Sequence, residues 1–339
     1  MKKLISIILC CTLVLALAGC AGTTVVVGNC TCPPESHNDE TVTQAPQSAG
    51  LKTGLAIVAG MGKSVSAAAE ADGKADFDVT IVAVTVDADG IIRNCVIDSV
   101  GVSAAFKATG EASEPGTQTV KTKNEKGFDY GMSKAENSIG KEWFEQADAL
   151  AQFAVGKTVE QVKGGYGSNV DLATSATMYL GGYVGAMEVA AANAKELGAD
   201  SGDDLKLAVT ASLIAENGKI QLNLDVAALT LDGKMITSAV IDSLQAKVEF
   251  DTAGVITSDL TAKTKNELGY DYGMGKASKV GKEWFEQAAY FCDYITGKTL
   301  ADVATIAVNE DTKTTEADLA TGCTIAIGGF QGLIAKIAD

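Results

Sequence analysis

The chain repeats itself. Lys121-Thr-Lys-Asn-Glu-Lys-Gly-Phe-Asp-Tyr-Gly-Met132 returns as Lys263-Thr-Lys-Asn-Glu-Leu-Gly-Tyr-Asp-Tyr-Gly-Met274. Gly140-Lys-Glu-Trp-Phe-Glu-Gln-Ala147 returns as Gly281-Lys-Glu-Trp-Phe-Glu-Gln-Ala288, and Gly156-Lys157-Thr158 as Gly297-Lys298-Thr299. The period is about 140 residues, which is the size of a domain and far longer than the roughly 20–50 residues of a solenoid unit. Whatever fold the first copy takes, the second must take too. The chain therefore reads as two tandem homologous domains, residues 51–200 and 201–339.

Each copy opens with strand signals. Phe77 to Val86 alternates β-branched and polar residues, Asp89-Gly90 offers a tight turn, and Ile91 to Ile97 continues the pattern. The second copy has Leu222 to Leu231, Asp232-Gly233 and Met235 to Ile241. A third strand is expected at Ala104 to Lys107 and at Ala246 to Phe250. Apolar residues then recur at helical spacing (Ile139, Trp143, Phe144, Ala147, Leu150, Ala151), predicting a helix near Ser138–Val155 and its twin near Lys279–Ile295. A last helix follows Thr177 and another follows Thr324. Hairpins followed by helices predict an α+β class, with an antiparallel sheet and packed helices in each copy.

The N-terminus reads as an export signal. Lys2 and Lys3 precede an apolar run, Leu4 to Leu17, shorter than the roughly 20 residues that span a bilayer. It ends in Leu17-Ala18-Gly19-Cys20, which resembles bacterial lipoprotein signals. That resemblance implies cleavage after residue 19, lipid on Cys20, and a chain held on the outer face of the cell membrane. Residues 20–50, rich in Thr, Ser, Gly, Asn, Gln and Pro, read as a flexible tether.

Composition then excludes chemistry. With 27 basic against 43 acidic residues the net charge is −16, so nucleic acid and anionic headgroups are poor partners. The single histidine, His37, lies in the tether, so neither a His-based zinc site nor a Ser-His-Asp triad can be assembled. Of eight cysteines, five (Cys30, Cys32, Cys95, Cys292, Cys323) remain beyond the signal and the lipid site, an odd number with no disulfide pattern.

The chemistry-bearing strings are Asp171-Leu-Ala-Thr-Ser-Ala-Thr177 and Asp318-Leu-Ala-Thr-Gly-Cys-Thr324, each followed by a Gly pair (Gly181-Gly182, Gly328-Gly329) and a helical pattern. Taken singly, either is equally a helix N-terminus capped by Asp and Thr. Recurrence at the matching place in both copies sets them apart. They resemble the D-x-x-[S/T]-G-A-T flavinylation motif of bacterial FMN-binding domains, with Ser175 where that family prefers Gly and Cys323 where it prefers Ala. The resemblance implies two FMN groups, each phosphoester-linked to a threonine (Thr177 and Thr324) by a flavin transferase that uses FAD. It places Asp171 and Asp318 as guides for that transferase, while Thr174 and Thr321 are expected as helix caps.

Around them, Tyr130 and Tyr272 are candidates to stack on the flavin ring, with a turn-fixing role as the alternative. Trp143 and Trp284 read as core. Lys134 and Lys276 are candidate partners for phosphate or reduced flavin, and Cys323 reads as a small apolar filler. The whole chain resembles the two-flavin lipoproteins of Gram-positive extracellular electron transfer. This implies a carrier that takes electrons from the membrane quinol/NADH dehydrogenase system to extracellular acceptors such as ferric iron. Two other classes compete: a cofactor-free surface binder of a solute or polymer, and a flavin reductase with one specific substrate.

Overall fold

The computed structural model describes residues 50–338. The expected signal peptide, lipidated Cys20 and the tether as far as residue 49 lie outside the described residues. The fold is α+β, built from two four-stranded antiparallel sheets packed with helices.

The first repeat contains strands β1 (Leu51–Gly60), β2 (Gly73–Val86), β3 (Ile92–Phe106) and β4 (Gly116–Thr119). Helices α1 (Lys123–Lys126), α2 (Trp143–Ala154), α3 (Val159–Gly165), α4 (Val170–Ser175) and α5 (Gly181–Ala192) follow, and then β5 (Lys195–Ala199). The second contains β6 (Asp204–Glu216), β7 (Lys219–Asp232) and β8 (Met235–Glu249), then α6 (Lys265–Leu268), α7 (Trp284–Ile295), α8 (Leu300–Ala304), α9 (Ala317–Ala320) and α10 (Gly328–Ala338). The sheet orders are β3-β2-β1-β5 and β4-β6-β7-β8. The boundary at residue 200 falls in the turn between β5 and β6, yet β4 of the first repeat forms the edge of the second sheet.

Alternation decides the layers. On β2, Phe77, Val79, Ile81 and Ala83 face one core, and Val82, Val84 and Val86 face another. On β7, Ile220, Leu222, Leu224 and Val226 join the same core as Phe77, while Leu229 and Leu231 face a third. One core therefore lies between the two sheets, and each sheet's other face is covered by its own helices: α2 and α5 on the first, α7 and α10 on the second. The repeats meet again where Phe106 and Phe250, at matching strand ends, stack with ring centres 3.9 Å apart.

Two sequence expectations shift. The segments expected as third strands are the far ends of β3 and β8, whose ladders run from turn to tip. The long helices start at Trp143 and Trp284, later than periodicity predicts. The reason is local: Gly140 and Gly281 hold φ at +74° and +67°, which no helix tolerates. Glu142 and Glu283 then cap the helices through reciprocal bonds with Glu145 and Glu286. Strands β1, β4, β5 and β6 fall outside the expected ones, although Asn217-Gly218 before β7 is a hairpin signal, with Gly218 at φ +79°.

Candidate functional site

Thr177 and Thr324 occupy the same place in their repeats, the loop joining a short helix (α4 or α9) to the long helix that follows (α5 or α10). Each lies four positions ahead of that helix, because Gly181-Gly182 and Gly328-Gly329 themselves form its first turn.

What holds each threonine is a buried glutamine, Gln146 on α2 and Gln287 on α7. The Gln287 side-chain oxygen accepts the Thr324 N–H at 2.8 Å and the Thr324 hydroxyl at 3.1 Å. Its nitrogen donates to the Lys282 carbonyl at 2.9 Å and to Ser278 Oγ at 3.1 Å. The Gln146 oxygen accepts the Thr177 N–H at 2.8 Å and the Met178 N–H at 3.2 Å, with the Thr177 hydroxyl at 3.5 Å. The motif strings do not mark these residues. The repeat does, since an amide kept in both copies on the apolar face of a helix needs buried partners.

Thr174 and Thr321 do not cap a helix N-terminus. Asn169 caps α4, accepting the Leu172 N–H at 2.8 Å. The Thr174 hydroxyl donates back to the Asp171 carbonyl at 2.9 Å, and that of Thr321 to the Asp318 carbonyl at 2.7 Å. A hydroxyl three residues on from a helical carbonyl reaches it directly, and that local bond wins. The side chains of Asp171 and Asp318 are exposed in the first turns of α4 and α9.

In the second repeat the loop opens onto a cavity of about 840 Å³. Thr324, Gln287, Trp284, Cys323, Phe330 and Gly329 line it, together with Lys265, Lys279 and Lys313 and the carboxylate-bearing Asp225. Three lysines against one carboxylate make a cationic cavity in an acidic chain. At its edge α10 begins, and the Gly329 and Phe330 N–H groups have no acceptor among the described residues. A Cβ added at Gly329 would meet nothing within 4 Å. The cavity therefore offers cations, free amides, an aromatic wall and a hydroxyl. That donor set fits an aromatic group carrying a phosphate.

Lys276 and Lys134 are exposed, and neither lines this cavity. The lysine that does so from the repeated string is Lys265. Its ammonium lies 5.3 Å from the Tyr272 ring centre and 4.7 Å from that of Trp284. Lys123 repeats the arrangement, 5.7 Å from Tyr130 and 5.1 Å from Trp143, with Asp78 at 4.0 Å. Burial pulls the Lys123 ammonium below its ordinary range, and Asp78 pushes it back up. The tyrosines thus back a lysine, and Tyr272 itself does not line the cavity.

Glu142 and Glu283 lock the Asp-Tyr-Gly-Met turns onto the helices. Glu142 accepts the Met132 N–H at 2.8 Å and the Ser133 hydroxyl, and Glu283 accepts the Met274 and Gly275 N–H groups, both at 2.7 Å. The Ser133 hydroxyl, then the backbone N–H groups, hold Glu142 below the usual carboxylate range. Cys323 is fully buried, and burial pushes its thiol up to about 11, which suits an inert filler. Among the described residues no group of three or more His, Cys, Asp or Glu is placed to hold a metal ion, and no helix is long and apolar enough to cross a membrane.

No family model matches the chain, and no solved structure matches it. A chlorophenol reductase from Desulfitobacterium hafniense is similar over 105 residues at 32% identity. That stretch is 30% of this chain and 30% of the reductase, so the likeness spans less than a third of the curated relative.

Proposed function

We propose that each repeat carries FMN, phosphoester-linked to Thr177 in the first and Thr324 in the second. In this reading the chain is anchored through lipid on Cys20 at the outer face of the cell membrane. It passes electrons from the membrane quinol/NADH dehydrogenase system to extracellular acceptors such as ferric iron. The observation that carries the reading is the cavity at Thr324. At about 840 Å³ it falls within the roughly 300–1,000 Å³ of small-molecule sites, and Thr324, the expected attachment residue, is in its wall.

The residues divide the work. FMN bound there would supply reversible electron transfer, and the chain's part is to fix and tune it. Gln287 anchors the Thr324 backbone and hydroxyl. Lys279, Lys313 and the open N–H groups at Gly329 and Phe330 offer charge to a phosphate. Trp284 and Phe330 wall the space for a flat ring, and Lys265 brings a cation that favours a reduced, anionic ring.

A cofactor-free binder of an anionic solute draws on the same cavity. It gives no reason for a second glutamine-held threonine in the first repeat. The deciding experiment is intact mass and peptide mapping of the chain from its native membrane, in cells with an active flavin transferase. Two FMN-sized increments, lost singly in Thr177→Ala and Thr324→Ala, support the reading. A chain without any increment overturns it in favour of the solute binder.

A further inference from the structure

We propose that Gln287 and Gln146 are the positioning residues that aim each threonine hydroxyl for attachment of the flavin phosphate. The inference rests on the reading that Thr177 and Thr324 are attachment sites. It assigns a role to two residues outside the motif.

A glutamine amide has two donor hydrogens and an oxygen with two lone pairs. In Gln287 all four are used inside the protein: two donors to Lys282 O and Ser278 Oγ, and two acceptors to the N–H and O–H of Thr324. A flipped amide would set donors against the Thr324 N–H, so the oxygen's direction is fixed. Because one oxygen takes both the backbone and the hydroxyl proton of a single residue, the threonine side chain is fixed with it. Its proton points at the buried amide, and its lone pairs are left for the cavity that Thr324 lines. Gln287 is fully buried, so no water competes for that oxygen. Gln146 repeats the clamp on the Thr177 N–H at 2.8 Å, with the hydroxyl held more loosely at 3.5 Å.

This arrangement suits the attachment step. The threonine oxygen attacks the flavin-side phosphorus of FAD, a P–O bond to threonine forms, the pyrophosphate P–O bond breaks, and AMP leaves. The hydroxyl proton passes to a base of the transferase, because an amide oxygen is too weak a base to keep it. Gln287 contributes orientation, and misplacement of a reacting atom by about 1 Å can cost roughly a hundredfold in rate.

The two sites make each other's control. The full mature chain is incubated with flavin transferase and FAD, and increments at both threonines are followed by peptide mass in one tube. Gln287→Met is expected to slow loading of Thr324 at saturating FAD roughly ten- to a hundredfold. The half-saturating FAD concentration and the loading of Thr177 should stay unchanged. Gln146→Met should do the reverse. Wild-type rates at both threonines in both variants overturn the proposal. If one variant slows both sites, its fold is damaged, and the glutamate variant, which keeps an acceptor oxygen, decides: restored loading supports the proposal, and unrestored loading overturns it. A wild-type chain that takes no increment at all overturns the flavin reading, and this inference with it.

Discussion

The two sites share a clamp and differ in enclosure. Gly156 and Gly297 lie 141 residues apart, whereas Asp171 and Asp318 lie 147 apart, so the second repeat carries six extra residues just before its motif. They form a small flap. Val308 pairs with Thr314, Lys313 pairs with Ala326 in the site loop, and the Thr312 carbonyl accepts the Ile327 N–H at 2.8 Å and the Gly328 N–H at 3.2 Å. A Cβ on Gly328 would stand 2.7 Å from Thr312 Cβ, so glycine there lets the flap close. In the first repeat Tyr179 stands in the place of Ala326 and is 85% exposed. A second exchange is compensated. A Cβ on Gly322 would run into the Tyr290 ring at 2.4 Å, while the counterpart of Tyr290 is Ala149, which leaves room for Ser175. The lesson is that one clamp sits in different packing: the Ser175/Gly322 exchange follows the Ala149/Tyr290 exchange, and the flap walls the second site.

The repeats are separate at their sites and joined at their core, and the largest expected effect tests the joint. Phe106 and Phe250 are both buried and stack on each other. Phe106→Ala or Phe250→Ala should each cost about 3–5 kcal/mol in chemical denaturation. The double variant should cost less than the sum by about 0.5–1.5 kcal/mol, because the rings touch. A single cooperative transition should persist throughout. Additive costs, or two resolved transitions, would mean that the repeats stand as independent bodies.

Next in size is an effect the repeats should share. Asp98 and Asp242 are matching buried residues, and burial lifts each carboxyl to about 6. A folded value above the unfolded 3.8 means the folded state holds the proton more tightly. The stability from each group is therefore full below about pH 4 and lost as pH rises through about 6, amounting to roughly 3 kcal/mol per group. Asp98→Asn keeps an oxygen for the N–H groups of Ser99 and Asn124, which Asp98 accepts at 2.7 and 3.2 Å. It should gain on wild type by roughly that amount between pH 4 and pH 7.5, and Asp242→Asn should match it. Unequal gains would show that the asymmetry reaches below the sites.

Much of the class was legible in the chain. The duplication and the period-two runs on β2 and β7 give antiparallel sheets, and the Trp-Phe strings give α2 and α7. Where the sequence fell short, a long-range partner decides. β4 is four residues of undistinguished Gly-Thr-Gln-Thr, and only its pairing with β6 makes it a strand. Lys265 looks like any solvated lysine until Tyr272 and Trp284 are brought to it. The motif threonines were legible because their spacing repeats. Their glutamines stand outside the motif, and only the repeat, which keeps an amide on the apolar face of both helices, marks them. The flap was available as a change of spacing from 141 to 147, a signal that period alone does not use.

The smallest effect concerns what closes the first site in place of a flap. The Trp143 indole N–H donates to the Tyr183 hydroxyl at 3.1 Å, and the two rings lie 5.8 Å apart. In the second repeat Phe330 replaces that tyrosine, 6.0 Å from Trp284, so the Trp284 N–H has no acceptor among the described residues, and Trp284 lines the cavity. One hydroxyl thus separates a tryptophan tied to its neighbour from one that lines a cavity. Tyr183→Phe should cost roughly 1 kcal/mol, the net value of a buried hydrogen bond, because Trp143 is only 2% exposed and its donor has little access to water. Phe330→Tyr should cost nothing or gain a similar amount, since it supplies Trp284 with an acceptor. Denaturant midpoints measure both. If Tyr183→Phe proves neutral, the bond is not what sets the first tryptophan apart, and the difference in enclosure rests on the flap alone.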